Sequence, residues 1–201
     1  ATLTFTDSTV FPAANNTTQT LSSQSLGTAA TNRKIIVTVG SQQPITGVTV
    51  AGVTATFVVK AEGGDDMDAN IYIASVPTGT TGDIVVTQTG SGTLLQRGSI
   101  GVYAMYGGAS TASDTISITA TTDPTSNTID VPAGGVTVGL MSANKGGGVD
   151  VTWTGLTENY DFAPNDATHY QGAASKASAS AETITVVCDP ANGYSNVGHA
   201  V

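Results

Sequence analysis

The stretch ANIYIASVPTGTTGDIVVTQTG, residues 69–90, has the pattern of a strand, a turn and a second strand. Ile71 and Ile73 alternate with Tyr72 and Ala74, which is the period of two expected of a β-strand. The following Val-Pro-Thr-Gly ends this run, because proline removes a backbone donor and glycine favours a turn. A β-branched run at residues 83–87 then predicts the second strand, and we interpret the pair as a hairpin.

The same Val-Pro-x-Gly turn recurs within residues 129–138, again between two β-branched runs. The chain is therefore predicted to consist of strand–turn–strand units. The apolar run at 33–39 predicts a strand covered on both faces, and Ala51-Gly52 is a two-residue hairpin signal. Gly98 and Gly101 fall inside a further strand pattern, where they indicate a bulge or a close approach to the backbone.

The composition of the 201 residues (20.0 kDa) agrees with an all-β protein. Threonine, valine and isoleucine are frequent, 24 glycines supply turns, and strong helix formers are scarce. We expect one antiparallel β-sandwich domain over residues 1–201, jelly-roll-like, with about eight to ten strands. Residues 1–20 are expected to include an extended N-terminal strand.

The charge balance limits the function classes that this chain can serve. Only 10% of the residues are charged, and the net charge is −9. Nucleic-acid binding is disfavoured because the six basic residues form no cluster that could neutralise phosphates.

No segment is apolar enough to span a membrane. The chain has no nucleophile elbow, no paired metal-ligand motif and no phosphate loop, so we expect a non-enzymatic protein without a cofactor.

Strand-and-turn segments occur in a fixed order at residues 26–33, 45–56, 71–79, 101–103, 129–135 and 153–158. Together these segments resemble a β-sandwich module of tailed-bacteriophage structural proteins and related gene-transfer particles. The resemblance covers the chain from about residue 20 onward, and such modules occur in head decorations, head fibres and tail fibres. It implies no catalytic residues.

The resemblance implies a virion structural protein, in the first place a capsid decoration or cement protein on the outside of the head. Its partners would be the major capsid protein and copies of itself, with a trimer as one arrangement. The alternative is a tail-fibre or head-fibre module that recognises glycans on the host surface. For capsid contact, the apolar N-terminal strand offers Leu3, Phe5, Val10 and Phe11.

For a glycan, the candidate residues are the aromatic side chains of the polar connection 155–172: Tyr160, Phe162, His169 and Tyr170. Aromatic faces stack on sugar rings, and their polar tips bond hydroxyl groups. Trp153 lies nearby, but it shares a strand face with Val149 and Val151, which favours a place in the core.

The acidic loop contains Glu62, Asp65, Asp66 and Asp68, whose oxygens are suitable ligands for Ca²⁺. The loop lacks the EF-hand spacing, so a solvated hairpin tip is the favoured interpretation and a calcium site the alternative. The single cysteine, Cys188, lies in an apparent strand at residues 183–188 and is expected to be a small buried hydrophobe rather than a reactive thiol.

Overall fold

The computed structural model describes residues 1–63, 67–120, 124–144, 151–164, 169–190 and 196–200. Seventeen strands and one 3₁₀ helix occur in these ranges. The strands are β1 (Thr2–Val10), β2 (Thr18–Ser25), β3 (Arg33–Ser41), β4 (Ile45–Val50), β5 (Val53–Thr54), β6 (Thr56–Gly63), β7 (Met67–Ser75), β8 (Thr81–Gln88), β9 (Gly98–Tyr106), β10 (Ser117–Ala120), β11 (Thr125–Val131), β12 (Val136–Asn144), β13 (Val151–Thr154), β14 (Thr157–Phe162), β15 (His169–Ala177), β16 (Glu182–Pro190) and β17 (Asn196–Ala200). The 3₁₀ helix covers Gly92–Gln96. No helix that could cross a membrane occurs in the part of the chain that the structure describes.

Strands β1–β9 form a first sandwich of two antiparallel sheets. One sheet has the order β1-β9-β3-β7-β6 and the other β2-β8-β4-β5. Strands β5 and β6 are two parts of one strand that passes from the outer sheet to the other sheet. When this strand is counted once, β7, β8 and β9 become strands 6, 7 and 8, and the two sheets have the orders 1-8-3-6-5 and 2-7-4-5. This is the strand order of a jelly roll, so the predicted fold class is confirmed.

Strands β10–β17 form a second sandwich with the same strand order. Its sheets are β10-β17-β12-β15-β14 and β11-β16-β13, in which each strand takes the place of its counterpart in the first sandwich. Even a local irregularity recurs, because the fifth strand is bulged between Phe57 and Val59 in one sandwich and between Glu158 and Tyr160 in the other. The prediction of eight to ten strands therefore fits each sandwich, but it is too low for the whole chain.

The two five-stranded sheets, here called the inner sheets, pack face to face and join the sandwiches into four layers. The equivalent strands β3 and β12 contact each other at the centre. On one side of this centre, the first strand of the first sandwich (β1) contacts the fifth strand of the second (β14). On the other side, the first strand of the second sandwich (β10) contacts the fifth strand of the first (β6). The contact between the halves is thus isologous, like that of a two-fold symmetric dimer within one chain.

Three apolar layers lie between the four sheets. Strand β3 contributes side chains to two of these layers. Ile35 and Val37 lie in the core of the first sandwich, and Ile36 lies in the layer between the inner sheets. The prediction that this strand is covered on both faces is confirmed. We call the layer between the inner sheets the middle layer.

The Val-Pro-x-Gly turns do not close hairpins. Strand β7 lies in an inner sheet and β8 in the opposite outer sheet, and the same holds for β12 and β11. The interpretation of residues 69–90 as a hairpin was therefore wrong, although both strands and the turn exist. Val76 and Val131 instead anchor crossovers between sheets, each buried in the core of its own sandwich. The Ala51-Gly52 hairpin is confirmed, with φ of 49° and 79° at its two central residues.

Candidate functional site

The two groups of residues proposed as separate contact surfaces meet in the middle layer. Phe5 of β1 stacks on Tyr160 of β14 with ring centroids 6.0 Å apart, and it also contacts Tyr103 at 5.3 Å. Phe162 also contacts the Tyr160 ring, with centroids 5.1 Å apart, and Leu3 packs against the same cluster. The predicted capsid contacts Leu3 and Phe5 thus pack in one cluster with the predicted glycan contacts Tyr160 and Phe162.

The other candidates on these two lists are also withdrawn from the surface to different degrees. Phe11 is 1% exposed in the first core, and Val10 is half-buried. His169 and Tyr170 are buried on β15. Four of the candidates are buried and offer no accessible surface to a saccharide or a capsid subunit: Phe11, Tyr160, His169 and Tyr170. The other four are half-buried and keep part of their surface accessible: Leu3, Phe5, Val10 and Phe162.

Hydroxyl groups link the inner sheets across the middle layer. The hydroxyls of Thr38 and Tyr160 lie 3.1 Å apart, and the Gly101 amide donates to Thr38 Oγ1 at 3.0 Å. Tyr103 donates its phenolic hydrogen to Asn159 Oδ1 at 3.1 Å. Burial raises the pKa of both tyrosines, so each phenol remains neutral in the folded protein. The bonds from Thr38 to Tyr160 and from Tyr103 to Asn159 fix the register of the two sandwiches.

Two glycines make this close approach possible. A Cβ on Gly101 would lie 2.4 Å from Tyr160 Cε1, and one on Gly40 would lie 2.5 Å from Gln171 Cδ. The Gln171 side chain lies over Gly40 and accepts a hydrogen bond from Ser99. A third glycine in the first core, Gly98, would place a Cβ 2.3 Å from the ring of Phe11. The close approach predicted at Gly98 and Gly101 is confirmed.

The described part of the acidic loop is organised around a lysine. The Lys60 amine forms ion pairs with Glu62 and with Asp68, the latter at 3.1 Å. Burial opposes the charged amine, but the hydrogen bonds that it donates to Glu62 and Asp68, together with their negative charges, outweigh burial and raise the pKa of Lys60. Asp65 and Asp66 lie outside the described residues. No group of three or more His, Cys, Asp or Glu side chains able to hold a metal occurs among the described residues.

Trp153 and Cys188 both lie in the core of the second sandwich, as the sequence predicted. Cys188 is fully buried on β16, where it forms no disulfide. Burial of a thiol among apolar side chains disfavours the reactive thiolate. Neither residue is available to a ligand at the surface.

Two exposed apolar side chains were not singled out from the sequence. Val53 of β5 is 40% exposed and Phe57 of β6 is 53% exposed, and they are the large hydrophobic residues exposed in the described part of the chain. Both lie at the bend where the fifth strand leaves the outer sheet for the inner sheet. We call this pair the bend patch. Its only sequence signal was Thr-Phe-Val-Val, a run that also fits an ordinary buried strand.

No family model, curated protein or solved structure matches this chain. Its function must therefore be argued from the fold, the surface and the chemistry of the side chains.

Proposed function

We propose that this protein is a non-enzymatic structural component of a bacteriophage particle, which binds the outer surface of the assembled head and stabilises it. The fold supports this by analogy, since jelly rolls recur in viral capsid proteins and in lectins. Analogy of fold does not assign a function by itself, so the argument depends on the surface.

The observation that carries the proposal is a break in the internal symmetry at the bend patch. Phe57 precedes the bulge of the first sandwich, and the residue at the equivalent place in the second is the exposed Glu158. Val53 follows the turn glycine Gly52, as Leu156 follows Gly155, yet Leu156 is only 7% exposed. The first sandwich therefore exposes apolar side chains where the second has a charged or a buried residue. The proposal places the contact with a partner protein at these exposed apolar side chains.

The mechanism is preferential binding to the assembled state. A protein that binds the closed shell but not the separate subunits shifts the equilibrium toward the shell by mass action. A patch of two side chains is small, so strong attachment would come from many copies on one head or from self-association, for instance as a trimer. The low content of charged side chains suits packing among neighbouring subunits.

Co-sedimentation with heads that lack this protein tests the proposal. We expect stoichiometric binding of the wild type and a later release of DNA on heating. Phe57→Asp should weaken binding at least tenfold, because a charge would be buried in the contact. Thr152→Asp is the matched control, since Thr152 is exposed on the outer sheet of the second sandwich and receives the same charge.

The glycan-binding alternative gives a different result in the same experiment. Failure to bind heads, together with retention on host cells that is competed by free saccharide, would replace the decoration role with receptor binding. Equal head binding by the Phe57→Asp and Thr152→Asp proteins would keep the decoration role but reject the bend patch.

A further inference from the structure

A pocket of about 370 Å³ opens between the two inner sheets at one end of the middle layer. Its walls are apolar and come from both sandwiches: Ile36, Val58, Ile71, Ile73 and Met105 from the first and Val138 from the second. Protein interiors are close-packed, and voids much larger than a water molecule are few. A pocket of this size is within the range of small-molecule sites, which occur preferentially at the boundary between two units.

The segment 107–115, which joins the two sandwiches, forms one side of this pocket. Its first part is fixed, because the Lys34 amine donates to the Gly108 carbonyl at 2.5 Å. Its last part is fixed by Asp114, whose carboxylate accepts the Asp130 amide at 2.9 Å. Between these anchors residues 109–113 are exposed to solvent. The segment is thus tied to the first sandwich through Lys34 and to the second through Asp130.

The polar groups of the pocket restrict the charge of its occupant. Among the lining residues that the structure describes, Asp114 and Asp130 contribute two carboxylates and the ammonium of Ala1 contributes one positive charge, which already donates to the Gly134 carbonyl. Both oxygens of Asp114 already accept backbone amides, from Thr115 and Asp130. An anionic ligand would meet these carboxylates and a protein of net charge −9.

We propose that this pocket binds an uncharged, apolar small molecule between the two sandwiches. The site is independent of the role on a phage head, because it is made wholly from residues of one chain. A bound ligand contacts both inner sheets and stabilises the folded state by mass action.

Nile red, which is uncharged and fluoresces in apolar surroundings, is a suitable probe. We expect saturable binding of one molecule per chain, displacement by 1-decanol, and at least tenfold weaker displacement by decanoate. Val58→Trp should abolish Nile red binding, because Val58 is half-buried at the pocket wall and the indole would enter the space. Ile73→Phe fills the same pocket with a smaller change and should weaken binding at least fivefold.

Thr152→Trp is the matched control, since it adds the same indole at an exposed position of the outer sheet that lies outside the pocket lining. Far-UV circular dichroism and thermal melting establish that each variant is folded. Absence of Nile red binding to the wild type would overturn the proposal. So would binding by folded Val58→Trp and Ile73→Phe proteins that equals binding by Thr152→Trp. Displacement by decanoate as effective as displacement by decanol would reject the uncharged ligand.

Discussion

Arg33 is the residue whose replacement we expect to damage the first sandwich most clearly. It lies at the start of β3 and is 1% exposed. Its guanidinium donates to the carbonyls of Val76 (2.7 Å), Leu26 (3.1 Å), Gly27 (2.8 Å), Thr78 (2.8 Å) and Gly79 (2.8 Å). These bonds use all five N–H groups of an arginine. One cation thus fixes two crossovers between sheets, including the Val-Pro-Thr-Gly turn.

The cost of Arg33→Met follows from the burial of those carbonyls. The bonds to Val76 and Leu26 are fully buried, while the other three are partly accessible to water. A buried carbonyl left without a donor costs about 1–3 kcal/mol, and water can replace the donor at the accessible ones. We expect the free energy of unfolding to fall by about 3–5 kcal/mol, reduced somewhat because methionine needs no desolvation of a charge. Arg33→Lys should lose about half as much, because an ammonium has three donors.

Urea unfolding measures this change, with circular dichroism reporting both sandwiches and Trp153 fluorescence reporting the second. Arg97→Met is the control, because Arg97 is half-buried and its guanidinium bonds the Gln42 side chain at 2.8 Å. Arg97→Met should lower the free energy of unfolding by less than about 1 kcal/mol. If Arg33→Met lost no more stability than Arg97→Met, the buried guanidinium would not be what holds the crossovers.

Two further predictions concern the middle layer. Gly101→Ala should lower the free energy of unfolding by about 1–3 kcal/mol through overpacking against Tyr160. Gly47→Ala should be neutral or slightly stabilising, because its added Cβ would meet nothing within 4 Å. Equal urea midpoints for the two variants would contradict the close approach at Gly101. Because burial raises the pKa of Tyr160 and Tyr103, their contribution to stability is complete below the unfolded pKa of about 10 and falls as the pH rises above it. Tyr160→Phe should make the alkaline decline shallower, as followed by urea midpoints and tyrosinate absorbance, and an unchanged pH dependence would show that Tyr160 is not the group responsible.

Local sequence patterns predicted strands and turns well, but not how the strands associate. The run Arg33–Val39 encodes burial on two faces, and glycines 98 and 101 encode close contact, because these effects depend on each residue's own size and polarity. The Val-Pro-x-Gly turns encode a change of direction only. Whether the next strand pairs with its predecessor or joins the opposite sheet is decided by long-range contacts, so a crossover was taken for a hairpin.

The duplication explains why the surface residues were misjudged. A single sandwich exposes one face of each sheet, so Phe5 and Tyr160 had an accessible face available to them. Two sandwiches stacked through their inner sheets remove that face. The repeat itself left little trace beyond Val-Thr-x-x-Gly, at residues 48–52 and 151–155. Packing between the halves requires matching shape and polarity more than matching sequence.

The bend patch and the pocket are adjacent on one strand, so we expect binding at one site to affect binding at the other. Phe57 faces solvent, and the next residue, Val58, lines the pocket wall. The bulge between Phe57 and Val59 lies between the two sites, and a bulged strand is less constrained by its neighbour than a regular one. A ligand that shifts Val58 therefore changes the position of Phe57 against a partner.

Linkage requires this effect to be reciprocal. If 1-decanol changes the affinity for heads by about fivefold, heads must change the affinity for decanol by the same factor. Both sites must first be established by their own variants. If the affinity for heads and the affinity for decanol then prove independent, a shift of Val58 is not transmitted through the bulge to Phe57. In that case the middle layer would act as a rigid spacer between the outer sheets, and the pocket would affect the stability of this protein but not its attachment.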